Sequence, residues 1–215
     1  MKKNLGLIIF VLVLFSLGLF NGAISLWMDW LWFEETGYSI LFTKQIITQW
    51  SLTLILGLLF LIGVYVNYRI ASKLASNETR FVPDNLIELP AGIDKVFRKF
   101  LVGATIFISY IVGSWAGTKW DIYLAFYNAV PYGITDPLYL HDLGFYFFSL
   151  PFYQFIYNFG SALLIFSLVV AAIVYVFQGG IHITRRGVQM ISATRLHLSV
   201  LGGLFLGWLG FHYHL

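Results

Sequence analysis

The residues of this chain that could do chemistry are concentrated between residues 119 and 154. Asp121, Asp136 and Asp142 supply three carboxylates there, and His141 stands directly beside Asp142. A histidine next to a carboxylate can serve as an acid–base pair or as two metal ligands. However, adjacent residues of a helix do not face one another, and no second histidine lies nearby in the sequence. The pattern therefore favours a structural role for this pair.

The same segment is rich in aromatic side chains. Four of its residues recur at the spacing of one helical face and predict a short helix lying in the membrane interface: Trp120, Tyr123, Leu124 and Tyr127. Further on, an aspartate before a proline is typical of a helix start, since the carboxylate caps free N–H groups and proline fits the first turn. We expect the functional surface of the outer loop to comprise Trp120, Asp121, Asp136, Pro137, His141 and Asp142.

The composition excludes several kinds of chemistry. The chain contains no cysteine, which rules out disulfides, thiolate metal sites and thiol nucleophiles. The long apolar stretches hold neither a nucleophile–base pair nor paired aspartates, so an intramembrane protease is disfavoured. We therefore expect no catalytic residues, no metal and no cofactor. The isoelectric point near 9.0 could suggest nucleic acid, but the basic residues lie beside apolar stretches and form no separate basic domain.

The elements that must position these residues are membrane helices. The chain is 59% hydrophobic and only 11% charged, whereas a soluble domain carries about a quarter charged residues. A bilayer core needs about 20 mostly apolar residues in a helix. Segments that meet or approach this length are residues 5–27, 46–66, 100–118, 155–177 and 198–215. The predicted fold is an all-α, polytopic transmembrane bundle of about five spans, with short interfacial helices in its loops.

Positive charge predicts the orientation of this bundle. Of the 13 Lys and Arg residues, 11 fall at the extreme N-terminus, in residues 67–99 and in residues 179–197. Basic residues gather on the cytoplasmic side of membrane proteins. We therefore expect a protein of the bacterial cell membrane with a cytoplasmic N-terminus. Residues 28–45 and 119–154 would then face outward.

Some of the basic residues also suggest a lipid partner. An amphipathic segment leads into the third span, and the second basic loop contains no acid. Such clusters either determine topology alone or contact the phosphates of anionic lipids. The candidate lipid contacts are Lys95, Arg98, Lys99, Arg185 and Arg186.

Several stretches of the chain resemble a known family. Residues 29–38 (DWLWFEETGY), 128–137 (NAVPYGITDP), 142–148 (DLGFYFF) and 150–153 (LPFY) are similar to the outer loops of uncharacterised protein family 0182. This is a large family of bacterial multi-pass integral membrane proteins. The resemblance implies long proteins with about seven N-terminal spans and a large extracytoplasmic domain. This chain would be their N-terminal portion. The resemblance supplies no reaction and no catalytic residues.

Three functions remain open from the sequence. The leading hypothesis is a non-enzymatic membrane anchor or scaffold for an extracytoplasmic domain beyond residue 215. The first alternative is a transporter or flippase of an apolar or lipid-like substrate. The second alternative is a membrane-bound envelope enzyme that uses the outward carboxylates of Asp121, Asp136 and Asp142.

Overall fold

The computed structural model describes residues 5–78, 93–184 and 187–213. In these ranges the chain is dominated by helices, as the sequence predicts. The α-helices are α1 (Leu5–Glu35), α2 (Ser39–Glu78), α3 (Ile93–Gly117), α4 (Trp120–Tyr127), α5 (Leu150–Phe177) and α6 (Ser192–His212). A π-helical turn, Phe145–Ser149, leads directly into α5.

Two short strands were not predicted. Strands β1 (Ile181–Thr184) and β2 (Gly187–Met190) form an antiparallel hairpin between α5 and α6, with Ile181 paired to Met190. Three of the four residues of β1, Ile181, Ile183 and Thr184, are β-branched, which suits a strand. The predicted lipid contacts Arg185 and Arg186 lie outside the described residues.

Three of the described helices are long and apolar enough to cross a membrane: Ser39–Ser76, Val96–Gly117 and Phe145–Phe177. A helical bundle with membrane helices is therefore supported. The predicted number of about five spans is not supported. Within the described residues, neither α1 nor α6 is among the helices that are long and apolar enough to cross a membrane.

Two of these helices extend beyond the apolar runs that predicted them. The run at residues 46–66 is only the middle of α2, which continues to Glu78. No proline or glycine occurs between residues 64 and 78, so nothing stops the helix where the apolar run ends. Likewise α5 begins at Leu150, and Pro151 occupies its first turn, where a missing N–H costs nothing. Residues expected in loops therefore lie on helices.

The chain divides into two compact units, residues 1–47 and residues 48–215. In the first, the turn between α1 and α2 is closed by the Tyr38 N–H, which donates to the Phe33 carbonyl at 2.8 Å. The ring of Phe42 packs against those of Trp30 and Phe33, with centroids 5.9 Å and 5.3 Å away.

The core of the second unit lies among α2, α3, α5 and α6. Phe60, Val64, Val174 and Tyr175 are among its most deeply buried side chains. α2 and α3 approach closely at Gly113, where an added Cβ would lie 2.6 Å from the Thr53 carbonyl oxygen. Only glycine permits this backbone contact, which lets α2 and α3 approach closely at this point.

Candidate functional surface

The short helix α4 begins the loop that precedes α5, and it confirms the helix predicted at these residues. Its position in the membrane interface stays a prediction. The ring of Phe126 stacks on that of Phe152 in α5, with centroids 4.1 Å apart and an interplanar angle of 12°. Tyr123 lies 6.3 Å from the same ring. The side that contacts α5 therefore includes Phe126, which the sequence pattern left out. Trp120 is half-buried, whereas Asp121 is exposed and takes no part in this packing.

Asp142 organises the middle of the loop. One of its carboxylate oxygens, Oδ1, accepts hydrogen bonds from the N–H groups of Tyr132 at 2.9 Å and Gly144 at 2.6 Å. The other, Oδ2, accepts the N–H of Gly133 at 2.8 Å. Gly133 has φ of +73°, a backbone conformation that favours glycine. One side chain thus gathers backbone from both sides of the loop.

These hydrogen bonds stabilise the ionised form of Asp142. The pKa of its carboxyl group is lowered from its ordinary value of 3.8, chiefly by the Tyr132 N–H and then by those of Gly144 and Gly133. Partial burial acts in the opposite direction. Asp142 therefore acts as a charged backbone clasp at neutral pH.

Gly144 allows this clasp to close. An added Cβ at this position would lie 2.7 Å from the carbonyl oxygen of Val130 and 2.8 Å from Oδ1 of Asp142. Both distances are too short for a real contact, and one of the opposing atoms belongs to the backbone. A side chain at residue 144 would force the two sides of the loop apart.

Asp136 fixes the tip of the loop in a similar way. Its Oδ2 atom accepts the Tyr139 N–H at 2.9 Å and the hydroxyl of Tyr146 at 3.1 Å. The Tyr139 N–H is the main reason why the pKa of Asp136 is lowered. The residues after Pro137 form one turn rather than the predicted helix, and Leu140 leaves that turn with φ of +58°.

His141 and Asp142 do not act on one another. The carboxylate of Asp142 is directed to backbone N–H groups, while the exposed ring of His141 stacks on Phe145 with centroids 4.7 Å apart. Within the described ranges, no group of three or more His, Asp or Glu residues could hold a metal ion. The arrangement shapes the loop and presents no acid–base pair.

What the loop exposes is mainly apolar. Seven large side chains are each between 55% and 76% exposed: Val130, Tyr132, Ile134, Leu138, Tyr139, Leu140 and Phe147. We call them the apolar loop surface. The sequence showed that the loop is rich in aromatic residues, but none of these seven residues was among those assigned to its functional surface. The signal for it was present, since apolar residues here are interleaved with turn-forming Pro, Gly and Asp.

A second cluster of polar side chains lies between α2, α5 and α6. The hydroxyl of Tyr175 is 2.8 Å from Nδ1 of His197, whose Nε2 is 3.4 Å from Oδ1 of Asn67. Asn67 in turn donates to Oγ of the buried Ser167 at 3.3 Å. We call these four residues the polar cluster. Neither His197 nor Asn67 was among the predicted functional residues.

The predicted lipid contacts are only partly described. Arg98 and Lys99 are exposed on α3. Lys95 lies on the same helix, but its side chain is outside the described residues, as are Arg185 and Arg186. Arg98 meets two cations from α2, Arg69 and Lys73, around one groove. The sequence assigned those two residues to a loop.

Comparison with known proteins gives a consistent result. The model of the uncharacterised protein family UPF0182 matches residues 5–215. A UPF0182 protein of Streptomyces coelicolor is 35% identical over 84% of this chain. Relatives from Pelobacter propionicus and Geobacter sulfurreducens are each 31% identical, over 94% and 95% of the chain.

The chain spans only a small part of these relatives. The matched region covers 18% of the Streptomyces protein, 23% of the Pelobacter protein and 24% of the Geobacter protein. No solved structure matches the chain.

Proposed function

We propose, from the premise that this chain belongs to the uncharacterised protein family UPF0182, that it forms the membrane part of a longer bacterial protein. In this proposal the apolar loop surface docks an extracytoplasmic segment of the same polypeptide. The observation that carries the proposal is a loop whose backbone is fixed by carboxylates while its large apolar side chains remain exposed.

The proposed topology has five spans in the cell membrane and a cytoplasmic N-terminus. Three helices have the length and composition of spans. We assign α1 and α6 as two more, because α1 has 31 residues and α6 has 21, against the 20 or so that a bilayer requires. The distribution of Lys and Arg supports an outward position for residues 119–154.

The docking role rests on preorganisation. Exposed apolar side chains on a mobile loop would lose conformational entropy on binding, whereas a loop already held by Asp136 and Asp142 loses little. Contiguous exposed apolar surface is also typical of interaction sites. The matched relatives are four to five times as long as this chain, so a polypeptide of their length would contain enough further chain to supply the occupant.

The positions of the carboxylates favour docking over the envelope-enzyme hypothesis. A general acid or base must be directed at a substrate. Both Asp136 and Asp142 instead accept backbone N–H bonds, and the same bonds keep their pKa values low. A carboxyl group held ionised in this way is a poor proton donor at neutral pH.

The topology is tested by single-cysteine labelling, for which a chain without native cysteine is well suited. Variants with a single cysteine at residue 35, 85, 145 or 190 are expressed, and intact cells are treated with a membrane-impermeant maleimide. We expect labelling at 35 and 145, and labelling at 85 and 190 only after the cells are opened. Labelling of 85 in intact cells would overturn the orientation.

Docking is tested by photo-crosslinking in the full-length gene product. A photoreactive residue at Leu138, which is 75% exposed in the loop, is compared with one at Phe107, which is 64% exposed on α3. We expect Leu138 to crosslink to a segment after residue 215 and Phe107 to give only lipid adducts. Lipid adducts alone at both positions would overturn the docking role, because the loop would then rest on the membrane.

A further inference from the structure

A groove of about 590 Å³ lies at the surface formed by α2 and α3. Three of its lining residues are cations, Arg69, Lys73 and Arg98, and four carry hydroxyl groups, Tyr65, Tyr68, Ser72 and Ser76. None of the described residues that line it is acidic. We call it the basic groove.

The cations reach this groove from two helices. Arg69 and Lys73 are four residues apart on α2 and so lie on one face, whereas Arg98 comes from α3. Nη1 of Arg69 donates to the hydroxyl of Tyr65 at 3.3 Å, and its guanidinium carbon lies 6.0 Å from the centre of that ring. The tyrosine thereby holds the guanidinium at the edge of the groove.

This arrangement of charge favours an anion. Like charges four residues apart on a helix repel one another, and a third cation on the neighbouring helix adds to the repulsion. A phosphate group between them would offset that cost. Phosphate accepts paired hydrogen bonds from arginine, point-charge contacts from lysine and hydrogen bonds from hydroxyl groups. The groove offers all three kinds of donor.

The surroundings of the groove suit an amphiphile. Two apolar side chains, Ile70 of α2 and Val102 of α3, line the groove together with its cations, and Val102 lies one helical turn from Arg98. A headgroup seated among the cations would leave acyl chains beside apolar side chains. The groove also connects to the segment after α5, because Ser72 accepts a hydrogen bond from Nε2 of Gln178, the residue that follows that helix, at 3.1 Å.

We propose that the basic groove is a binding site for a phosphate ester, held by Arg69, Lys73 and Arg98, and that an anionic phospholipid supplies it. This site differs from the row of helix-end cations that the sequence predicted, since two of its three cations lie on α2. The proposal rests on α2 and α3 lying in a membrane, as proposed above, and is independent both of the orientation of the chain and of docking at the apolar loop surface.

The test compares two neighbouring residues of α3. The chain is purified in detergent, and retention of phosphatidylglycerol is measured by native mass spectrometry for Arg98→Gln and Lys99→Gln. Each variant removes one charge from the same turn, but only Arg98 lines the groove. Each basic residue near a lipid headgroup contributes about fivefold in affinity. We therefore expect Arg98→Gln to weaken retention about fivefold and the double variant Arg69→Gln/Lys73→Gln to weaken it further. Lys99→Gln should change it less than about twofold.

Three further arms make the result decisive. Arg98→Lys should retain most of the binding, because it keeps the charge. Phosphatidylcholine with the same acyl chains should be retained less than phosphatidylglycerol. Inorganic phosphate is then added to the lipid-bound protein. If it displaces the lipid only from chains with an intact groove, the phosphate ester that the groove binds is a soluble one. If it does not displace the lipid, the phospholipid is the ligand.

Equal retention by Arg98→Gln and Lys99→Gln, or equal retention of the two lipids, would overturn the site. Unfolding temperatures of the variants in the same detergent separate lost binding from lost folding. Because binding in detergent requires neither an orientation nor a docked segment, its failure would leave the proposed function intact. Conversely, a failed topology or crosslinking test would leave the groove intact.

Discussion

The loop before α5 and the basic groove both contain charged side chains, but the partners of those charges differ. In the loop, Asp136 and Asp142 are directed inward and accept backbone N–H groups. In the groove, Arg69, Lys73 and Arg98 surround an open volume whose described lining contains no acid.

This difference separates two uses of charge. A carboxylate that binds its own backbone fixes a shape, and what remains on the surface of the loop is apolar. Cations that surround a groove are available to an external anion. The loop therefore suits a large apolar partner, and the groove suits a small charged one.

The largest predicted effect concerns the close approach of α2 and α3, the two helices that also line the basic groove. Gly113→Ala places a Cβ against the Thr53 carbonyl and must push α2 and α3 apart, so we expect a loss of about 1–3 kcal/mol in the free energy of unfolding. Gly103→Ala, on the same helix with no atom within 4 Å of its Cβ, should instead stabilise by about 0.5–1 kcal/mol. Denaturant titration in mixed micelles measures both. The same sign for the two variants would contradict the close crossing.

The next largest effect concerns the hydrogen bonds that fix the loop. Asp142→Ala removes the acceptor of three backbone N–H groups, so amide exchange at Tyr132, Gly133 and Gly144 should accelerate about tenfold or more. Asp121→Ala removes an exposed carboxylate from α4 and should leave those amides unchanged. Hydrogen exchange read by mass spectrometry provides the measurement. Phosphatidylglycerol retention should be the same in both variants, and a parallel loss of retention would mean that the two regions are coupled.

A smaller effect concerns the polar cluster. Tyr175→Phe removes the hydroxyl that lies 2.8 Å from Nδ1 of His197, and we expect a loss of about 0.6–1.5 kcal/mol, as is typical of hydrogen bonds between membrane helices. Tyr123→Phe serves as the control, because Tyr123 contributes ring packing in the loop. Steric-trap or denaturant unfolding would resolve the difference. If Tyr175→Phe and Tyr123→Phe had the same free energy of unfolding, the polar cluster would not stabilise the packing of α2, α5 and α6.

The smallest effect depends on pH. The pKa values of Asp136 and Asp142 are lowered in the folded loop, so their contribution to its order is complete above the ordinary value of 3.8 and is lost as the pH falls through the lower folded values. Amide chemical shifts of Gly133 and Gly144 should therefore move only below pH 3.8. In Asp142→Asn this step should shrink at both amides. A transition well above pH 3.8 would contradict the clasp.

Local patterns predicted the parts of the fold that local physics determines. Aromatic periodicity located α4, and apolar length located three helices that are long and apolar enough to cross a membrane. The end of α2 was misplaced, because the apolar run stops at Val66 although the helix continues to Glu78. Hydropathy reports burial in lipid, whereas helix continuation depends on propensity, and the two diverge at a membrane surface.

The candidate sites were harder to predict, because their partners are distant in sequence. Asp142 bonds to backbone ten residues earlier, and His197 meets Asn67 across 130 residues. Glycines give a similar lesson. Gly113 and Gly202 both lie in apolar helices, but only Gly113 has a neighbouring backbone against it. No spacing rule separates such cases, since tertiary packing decides them.

The π-helical turn at Phe145–Ser149 has a consequence for how this protein can change. Such a turn holds one residue more than the α-helix that would replace it. A single deletion there could restore regular α-helix and rotate everything before it by about 100°, one residue's share of a turn. The loop would then present another side while the deeper part of α5 kept its register. The deletion of one codon at this junction could therefore change, during evolution, which side of the loop is presented.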